Sequence, residues 1–355
     1  MIPPKLVRRL LLGPAVPLLT LLFLVTVPLW VLPVAFLGTV VPGRWRGLRV
    51  LWFAIVFLVV ESLMVLWLFL LWVGSGFGSR LREERWQARH YRAMLLYLDL
   101  VVGAGRRTFH AGVDIDLGHA NLDPTDGTPI LVFSRHAGPG DSFLLVHGLL
   151  RIGYRPRIVL KETMQWAPAA DIGLNRLPSY FVERGAPRGT GTNAVRSLAE
   201  GLGGGDALVL FPEGRNFTPQ RRLHSIAKLD ELGRHDEAEE ARAMRYVLAP
   251  RAGGALAALE GAPSADVVFV AHAGLEDLSS IVDVWRGIPI DADVHALAWR
   301  VPRDDIPRVR EAQEAWLQWW WRRLDAWLVE TVGEEAIPDA VVEAVSASDV
   351  EPPPV

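Results

Sequence analysis

The 355-residue sequence contains no cysteine, which excludes a disulfide framework, a catalytic cysteine and a thiolate metal site. An excess of positive charge is also lacking, because 37 lysine and arginine residues stand against 40 acidic residues. This near balance leaves no nucleic-acid footprint, so we expect no nucleic-acid partner. A charged fraction of 22% beside a hydrophobic fraction of 50% excludes both a polytopic transporter and a disordered chain.

Long uncharged stretches are confined to the N-terminal part of the chain. Residues 10–37 form an apolar run without any charge, and residues 50–73 form a second run that only Glu61 interrupts. Each run is long enough for a helix that crosses about 30 Å of hydrocarbon. We therefore predict that residues 1–79 are a membrane anchor. Prolines inside the first run predict a kinked or broken helix; they are Pro14, Pro17, Pro28 and Pro33.

Two arrangements of this anchor remain open. Basic residues flank both runs, and the loop between them carries Arg44, Arg46 and Arg49. Two transmembrane helices with both ends in the cytoplasm agree with the positive-inside rule at the flanks. A re-entrant hairpin in the inner leaflet also accommodates the loop arginines. Both arrangements predict a cell-membrane protein in which the chain after residue 79 lies on the cytoplasmic side.

The remaining chain has the pattern of an α/β domain over residues 80–330, with a juxtamembrane amphipathic helix at 80–99. Short apolar runs separated by helical patterns predict strands at 130–133, 157–160, 180–182, 207–211, 267–271 and 294–299. This alternation indicates a mixed, largely parallel sheet flanked by helices. Residues 305–330 predict a tryptophan-rich helix that packs in the core or contacts a membrane. The acidic residues 331–355 predict a disordered tail.

The strongest chemical motif follows the first of these strands, where Asp141 comes five residues after His136. On a continuous helix these side chains would point about 140° apart. The break Gly138-Pro139-Gly140 allows the carboxylate to fold back onto the imidazole. A histidine oriented by a carboxylate is a general base with a fixed tautomer. His272 and Asp277 repeat the spacing without the break, and we interpret that second pair as coincidental.

Two further strand ends carry polar residues. The strand at 207–211 runs into a turn that contains Glu213, Gly214 and Arg215. Ligands of open α/β sheets bind at this carboxyl edge, so the turn is a candidate site for acceptor hydroxyls and a phosphate. Arg184 follows the strand at 180–182 and is a second candidate phosphate ligand. The alternative for each is a structural turn with a solvated arginine.

These three blocks stand in the order found in glycerolipid acyltransferases. The chain resembles the 1-acylglycerol-3-phosphate acyltransferase (PlsC-type) family through His136-x4-Asp141, residues 180–184 and residues 211–214. The resemblance spans about residues 100–330. It departs from the family pattern where Arg135 replaces an asparagine and where Arg215-Asn216 replaces Thr-Arg. These departures fall on positions that recognise the acceptor.

The resemblance implies transfer of a fatty acyl group to a hydroxyl of lysophosphatidic acid or a related lysophospholipid. The donor is acyl-CoA or acyl carrier protein, membrane lipids are partners, and neither a metal nor another cofactor is expected. His136 would act as general base and Asp141 would orient it. The implied acceptor and phosphate ligands are Arg184, Glu213, Gly214 and Arg215, and the implied oxyanion donors are Gly138 and Gly140.

Two alternatives to this activity remain open. The acceptor could be another hydroxyl compound, such as a glycolipid or glycerol phosphate. The protein could instead be a membrane-anchored lipid-binding protein without activity. The absence of a G-x-S-x-G serine elbow near His136 favours direct base catalysis over an acyl-enzyme.

Overall fold

The computed structural model of this chain describes residues 2–40, 43, 45–110, 112–116, 120–138, 140–183, 185, 187, 189–274, 285–290 and 293–333, with only the backbone for 113–116. Arg184 and Asp277 lie outside these residues. The predicted tail also lies outside them from residue 334 onward, so its disorder stays a prediction.

Helices surround a single sheet in the described part of the chain. In chain order they are α1 (Lys5–Val40), α2 (Arg46–Gly74), α3 (Glu84–Phe109), α4 (Asp141–Ile152), α5 (Pro168–Leu174), α6 (Thr190–Ala199), α7 (Pro219–Glu231), α8 (His235–Ala243), α9 (Ala252–Gly261) and α10 (Arg310–Val332). The helix predicted at 305–330 is thus α10, and the one predicted at 80–99 is α3, which begins later and runs farther.

Within the described residues, seven strands form the sheet in the order β1-β7-β6-β2-β5-β3-β4. Their bounds are β1 (Gly112–Asp116), β2 (Ile130–Ser134), β3 (Arg155–Lys161), β4 (Ser179–Val182), β5 (Asp206–Leu210), β6 (Asp266–Ala273) and β7 (Asp293–Val301). All six predicted strands are present. The sequence did not indicate β1, because aspartates alternate with its apolar residues.

The sheet is mixed and mostly parallel, as predicted. Strand β2 is parallel to both β5 and β6, and β3 is parallel to β4 and β5. Only the β6–β7 pair is antiparallel among the described strands, since β1 runs parallel to β7. The carboxyl ends of β2 to β6 therefore meet at one edge. The chain segments that carry all three blocks leave the sheet at this edge.

The core lies on both faces of the central strands, because successive strand side chains point to opposite faces. On one face, Leu131 and Phe133 pack against α6, α9 and α10, with Trp321 fully buried. On the other face, Ile130 and Val132 pack against Leu149 and Tyr154 next to α4. A strand covered on both sides has little freedom to move, so β2 is a rigid support for the residues that follow it.

The tryptophans of α10 pack into this core. The ring of Trp320 stacks on Phe269 with centroids 4.5 Å apart, and Trp316 lies edge-on to the same ring at 5.2 Å. Trp327 is partly buried against the same cluster. The sequence left core packing and membrane contact open for this helix. In the structure these three rings pack in the core.

The N-terminal hairpin packs along the body of the protein. Helices α1 and α2 are both long and apolar enough to cross a membrane by length and composition. At the start of α2, Arg49 donates to the carbonyl of Thr108 at 2.8 Å, and near its end the carbonyl of Leu68 accepts from Arg176 at 2.7 Å. Helix α2 is thus fastened to the body at both ends.

The first apolar run was predicted to be kinked or broken, and it is not broken, because α1 is continuous and contains all four prolines. At 1.5 Å per residue its 36 residues extend about 54 Å. Proline is tolerated in helices of apolar surroundings, where neighbouring helices and local adjustment of the backbone compensate for the lost hydrogen bonds. Packing against α2 therefore outweighs the local preference of the sequence.

Candidate active site at the carboxyl edge of the sheet

His136 follows β2 directly, and its main chain is held on two sides. Its N–H donates to Glu213 Oε1 at 3.1 Å, and its carbonyl accepts the N–H of Phe217 at 2.5 Å. The imidazole lies against the ring of Phe211 with centroids 4.7 Å apart. Its side chain is 17% exposed, which leaves a route for a substrate to reach it.

The predicted contact between His136 and Asp141 is present. Nδ1 of His136 lies 2.8 Å from Oδ2 of Asp141, and that oxygen also accepts the N–H groups of Ala137 at 2.8 Å and Gly138 at 3.1 Å. Asp141 is the first residue of α4, after Gly140 at the N-cap position. An ionised carboxylate can only accept hydrogen bonds, so Nδ1 carries the proton and Nε2 keeps its lone pair.

The surroundings of Asp141 favour its ionised form. Burial by itself would raise the pKa of this carboxyl, but the hydrogen bond from His136 and the nearby charges of His272 and His136 outweigh burial and lower the pKa. The N–H of Gly138 acts in the same direction. A carboxylate that stays charged can orient the imidazole and stabilise its protonated form.

Glu213 lies beneath the histidine and not at the surface of the site. It is 2% exposed, its Oε1 accepts the N–H of His136, and its Oε2 accepts the N–H of Leu248 at 3.0 Å. Burial raises the pKa of Glu213 to about 8, against the opposing charge of Arg135. The predicted contact of this carboxylate with the acceptor stays a prediction. Both of its oxygens brace the backbone that carries the base.

Arg135 occupies the position where the family pattern has asparagine, and it is fully buried. Its guanidinium donates to the carbonyl of His272 at 2.7 Å and to the carbonyl of Tyr246 at 3.0 Å. Its charge opposes the rise in pKa that burial causes in both Glu213 and Asp325. The sequence did not indicate that Arg135 is a buried hydrogen-bond donor, because its partners His272 and Tyr246 lie far along the chain.

His272 lies in the same cluster, which the sequence did not indicate, whereas its pairing with Asp277 lies outside the described residues. Strands β2 and β6 are parallel with Ser134 opposite Val270, which brings the end of β6 beside His136. Nε2 of His272 is 3.7 Å from Oδ2 of Asp141 and 3.3 Å from the carbonyl oxygen of Arg135. Only the pairing of two distant strands places it there.

The two oxyanion candidates differ in what their backbone does. The N–H of Gly138 donates to Oδ2 of Asp141, so this donor is already engaged and its oxyanion role stays a prediction. Gly140 is half-buried at the N-cap position of α4, and its carbonyl accepts the N–H of Leu144 at 3.1 Å. The proposed use of its own N–H stays a prediction.

Basic side chains lie near the turn that follows β5. Arg215 is exposed, and Gly214 is exposed with a φ of 71°. The guanidinium of Arg251 lies beside Gly214, since a Cβ built there would be 3.6 Å from its Nη1. The sequence analysis assigned no role to Arg251. Arg184, the other predicted phosphate ligand, lies outside the described residues.

This geometry can now be compared with known proteins. Residues 118–271 match the family model described as Acyltransferase. These residues are an acyltransferase domain. The crystal structure of the 1-acyl-sn-glycerophosphate (LPA) acyltransferase PlsC from Thermotoga maritima aligns with a TM-score of 0.47 and 15% sequence identity, covering 86% of this chain and 100% of that one. None of the curated proteins matches this chain significantly.

The acyltransferase domain contains the blocks on which the resemblance was based, and the resemblance is confirmed for the acyltransferase family. His136, Asp141 and Glu213 all fall inside the matched residues. His272 is the first residue beyond them. The class of enzyme is therefore an acyltransferase.

Proposed function

We propose that the acyltransferase domain moves a fatty acyl group from a thioester donor to a hydroxyl of lysophosphatidic acid or a related lysophospholipid. The observation that carries the proposal is the contact of 2.8 Å between Nδ1 of His136 and the buried carboxylate of Asp141. The domain family supports the reaction class. The donor is acyl-CoA or acyl carrier protein, which present the same thioester carbonyl.

The proposed reaction begins at Nε2 of His136, which removes the proton from the acceptor hydroxyl. The oxygen attacks the thioester carbonyl, the C–S bond breaks, and the thiolate leaves and takes up the proton from the imidazolium. Asp141 stabilises the imidazolium while it exists. General base catalysis of this kind contributes about 10²–10⁴ in rate. These steps use only His136, Asp141 and the two substrates.

The acceptor's phosphate is proposed to bind at the turn after β5. Arg215 is exposed there, and Arg251 lies beside Gly214. A guanidinium offers a planar set of donors that fits phosphate oxygens. Arg251 supplies a cation beside Gly214, two residues before Asn216, which stands where the family pattern has an arginine. Arg184 remains a third proposed ligand.

The membrane anchor is proposed to be a hairpin that stays in one leaflet. Helix α2 lies along α3, which carries the charged residues Arg89, Arg92 and Arg106. If α2 crossed the bilayer, these arginines would have to enter hydrocarbon, which costs several kcal/mol each. The leucines of α1 are exposed along much of its length. The hairpin therefore supports the re-entrant arrangement, with the domain on the cytoplasmic side.

Acyl transfer by the full-length protein in lipid vesicles tests the reaction. The substrates are acyl-CoA or acyl carrier protein with a panel of lysophospholipids, glycerol phosphate and glycolipids, and the products are identified by mass spectrometry. We expect product from a lysophospholipid and a loss of at least about 10²-fold in H136A and D141N. Product from another acceptor alone would reassign the substrate.

A matched control comes from a second histidine–aspartate pair away from the sheet edge. Nε2 of His147 on α4 lies 2.7 Å from Oδ1 of Asp99 on α3. The variant H147A removes this pair and should keep the wild-type rate. Full activity in H136A and D141N would disprove the mechanism, and an inactive wild type that still binds lysolipid would favour the lipid-binding alternative.

A further inference from the structure

A second histidine shares the carboxylate that orients the base. Asp141 is 3% exposed and His272 is 6% exposed, so water screens their interaction little. Nε2 of His272 lies 3.7 Å from the same oxygen, Oδ2, that accepts from Nδ1 of His136 at 2.8 Å. The two imidazoles thus flank one oxygen of Asp141.

The position of His272 is fixed through both its backbone and its ring. Its carbonyl accepts from the buried guanidinium of Arg135 at 2.7 Å, and its Nε2 lies 3.3 Å from the carbonyl oxygen of Arg135. A carbonyl oxygen and a carboxylate both accept, so Nε2 carries a proton that faces both. This geometry directs the positive end of the N–H bond toward Asp141.

We propose that His272 is a positioning residue, which holds the Asp141 carboxylate in place and offsets part of its negative charge on His136. This inference rests on the proposed function, because it concerns the same base. The described charged and titratable groups near the ring include Asp141 at the start of α4, and His136 and Arg135 after β2. Glu213 accepts the N–H of His136, and its charge acts on Asp141. Without His272, the full charge of Asp141 acts on His136. The base then keeps its proton to higher pH.

The variants H272A and H272Q test this role. In H272A we expect kcat to fall about tenfold, less than the roughly 10²-fold cost of a 1 Å misplacement, with KM nearly unchanged. The acid limb of the kcat profile should move to higher pH by about 0.5 unit or more. Glutamine keeps an N–H donor, so H272Q should recover part of the rate and part of the pH shift.

The variant S134A is the matched control. The hydroxyl of Ser134 donates to the same carbonyl of Arg135 at 3.0 Å, and its residue is equally buried, but its described contacts do not include Asp141. S134A should therefore keep the wild-type pH profile. If S134A reproduced the shift of H272A, the effect would come from the Arg135 backbone, and the proposal would be wrong.

Chemical modification gives a readout that does not depend on acyl transfer. Diethyl pyrocarbonate reacts with an unprotonated imidazole, and peptide mass spectrometry measures the rate at His136 as a function of pH. In H272A the acid limb of this rate should move to higher pH whether or not the acceptor has been identified. An unchanged limb would overturn this inference alone, whereas inactivity of the wild type on every acceptor would overturn the proposed function alone.

Discussion

At the scale of residues, the site depends on buried charges that act on the backbone of the base. Arg135 is fully buried and Glu213 is 2% exposed, and the charge of Arg135 opposes the rise that burial causes in the pKa of Glu213. Burial raises the pKa of Asp325, and the charge of Arg135 opposes that rise as well. Removal of one member of such a group leaves the others buried without compensation, which is costly. Arg135 therefore interacts electrostatically with Asp325 on α10.

The pH dependence of stability should reveal Glu213. Its pKa is about 8 in the folded chain and about 4.5 in the unfolded chain, so between these values the folded state binds more protons. The free energy of unfolding should therefore fall as pH rises through this window, by up to about 5 kcal/mol from this group. E213Q cannot titrate. Relative to wild type, it should become more stable between about pH 5 and pH 8.5.

Thermal unfolding of the detergent-solubilised protein measures this effect. The control is E260Q, since Glu260 is half-exposed and pairs with Arg196 at the surface. Its melting temperature should follow that of the wild type at every pH. Parallel profiles for E213Q and wild type would show that Glu213 does not titrate in this range.

At the scale of elements, polar side chains join the anchor to the body. Arg8 of α1 forms an ion pair of 2.6 Å with Asp171 of α5, and both are almost fully buried. Glu61, the one acid in the second apolar run, accepts from the N–H of Ala169 at 2.8 Å and from the hydroxyl of Tyr97 at 2.9 Å. The charges that interrupt or precede the apolar runs thus fasten α1 and α2 to α5.

The ion pair between Arg8 and Asp171 should contribute strongly to the docking of α1. In D171A a buried guanidinium loses its carboxylate, which should destabilise the protein by about 3–5 kcal/mol. Thermal unfolding and limited proteolysis measure this destabilisation, and D171A should show a lower melting temperature and faster cleavage within α1. In the control E83A, the exposed Arg85–Glu83 pair is lost, and the cost should be at most about 1 kcal/mol. Equal melting temperatures for the two variants would contradict the expectation.

At the scale of the molecule, the candidate site and the helix on which the N-terminal hairpin docks lie at the same edge of the sheet. Helix α5 follows the carboxyl end of β3, and His136 follows the carboxyl end of β2. Since α5 is the element on which α1 and α2 dock, the proposed reaction would take place next to the hairpin that is proposed to enter the membrane. A lysophospholipid could then reach the base without leaving the membrane surface.

Single-cysteine labelling tests the re-entrant arrangement, and the cysteine-free chain makes it free of background. V40C lies at the end of α1, and V309C lies on the body before α10; both positions are exposed. A membrane-impermeant maleimide should label both from the same side of sealed vesicles. Labelling of V40C only from the side opposite to V309C would require two complete spans.

Much of the fold could be predicted from the sequence because local patterns of apolar residues and breaks specify its strands and helices. The strands β2 and β5 are continuous apolar runs, and the break after His136 indicated that Asp141 folds back. The strand β1 was missed, because its alternating aspartates resemble a loop. The inward direction of Glu213 was also missed, since a tight turn at a strand end specifies position but not which way a carboxylate points.

The sequence by itself determined the apolar hairpin, the alternation of strands and helices, and the pairing of His136 with Asp141. These depend on periodicity and on separations of a few residues, which short stretches of chain specify. Only the tertiary structure decided that His272 joins Asp141, that Arg135 is buried between distant acids, and that α2 lies along α3. Contacts between separate helices and strands depend on strand order and helix packing, and no local pattern encodes these.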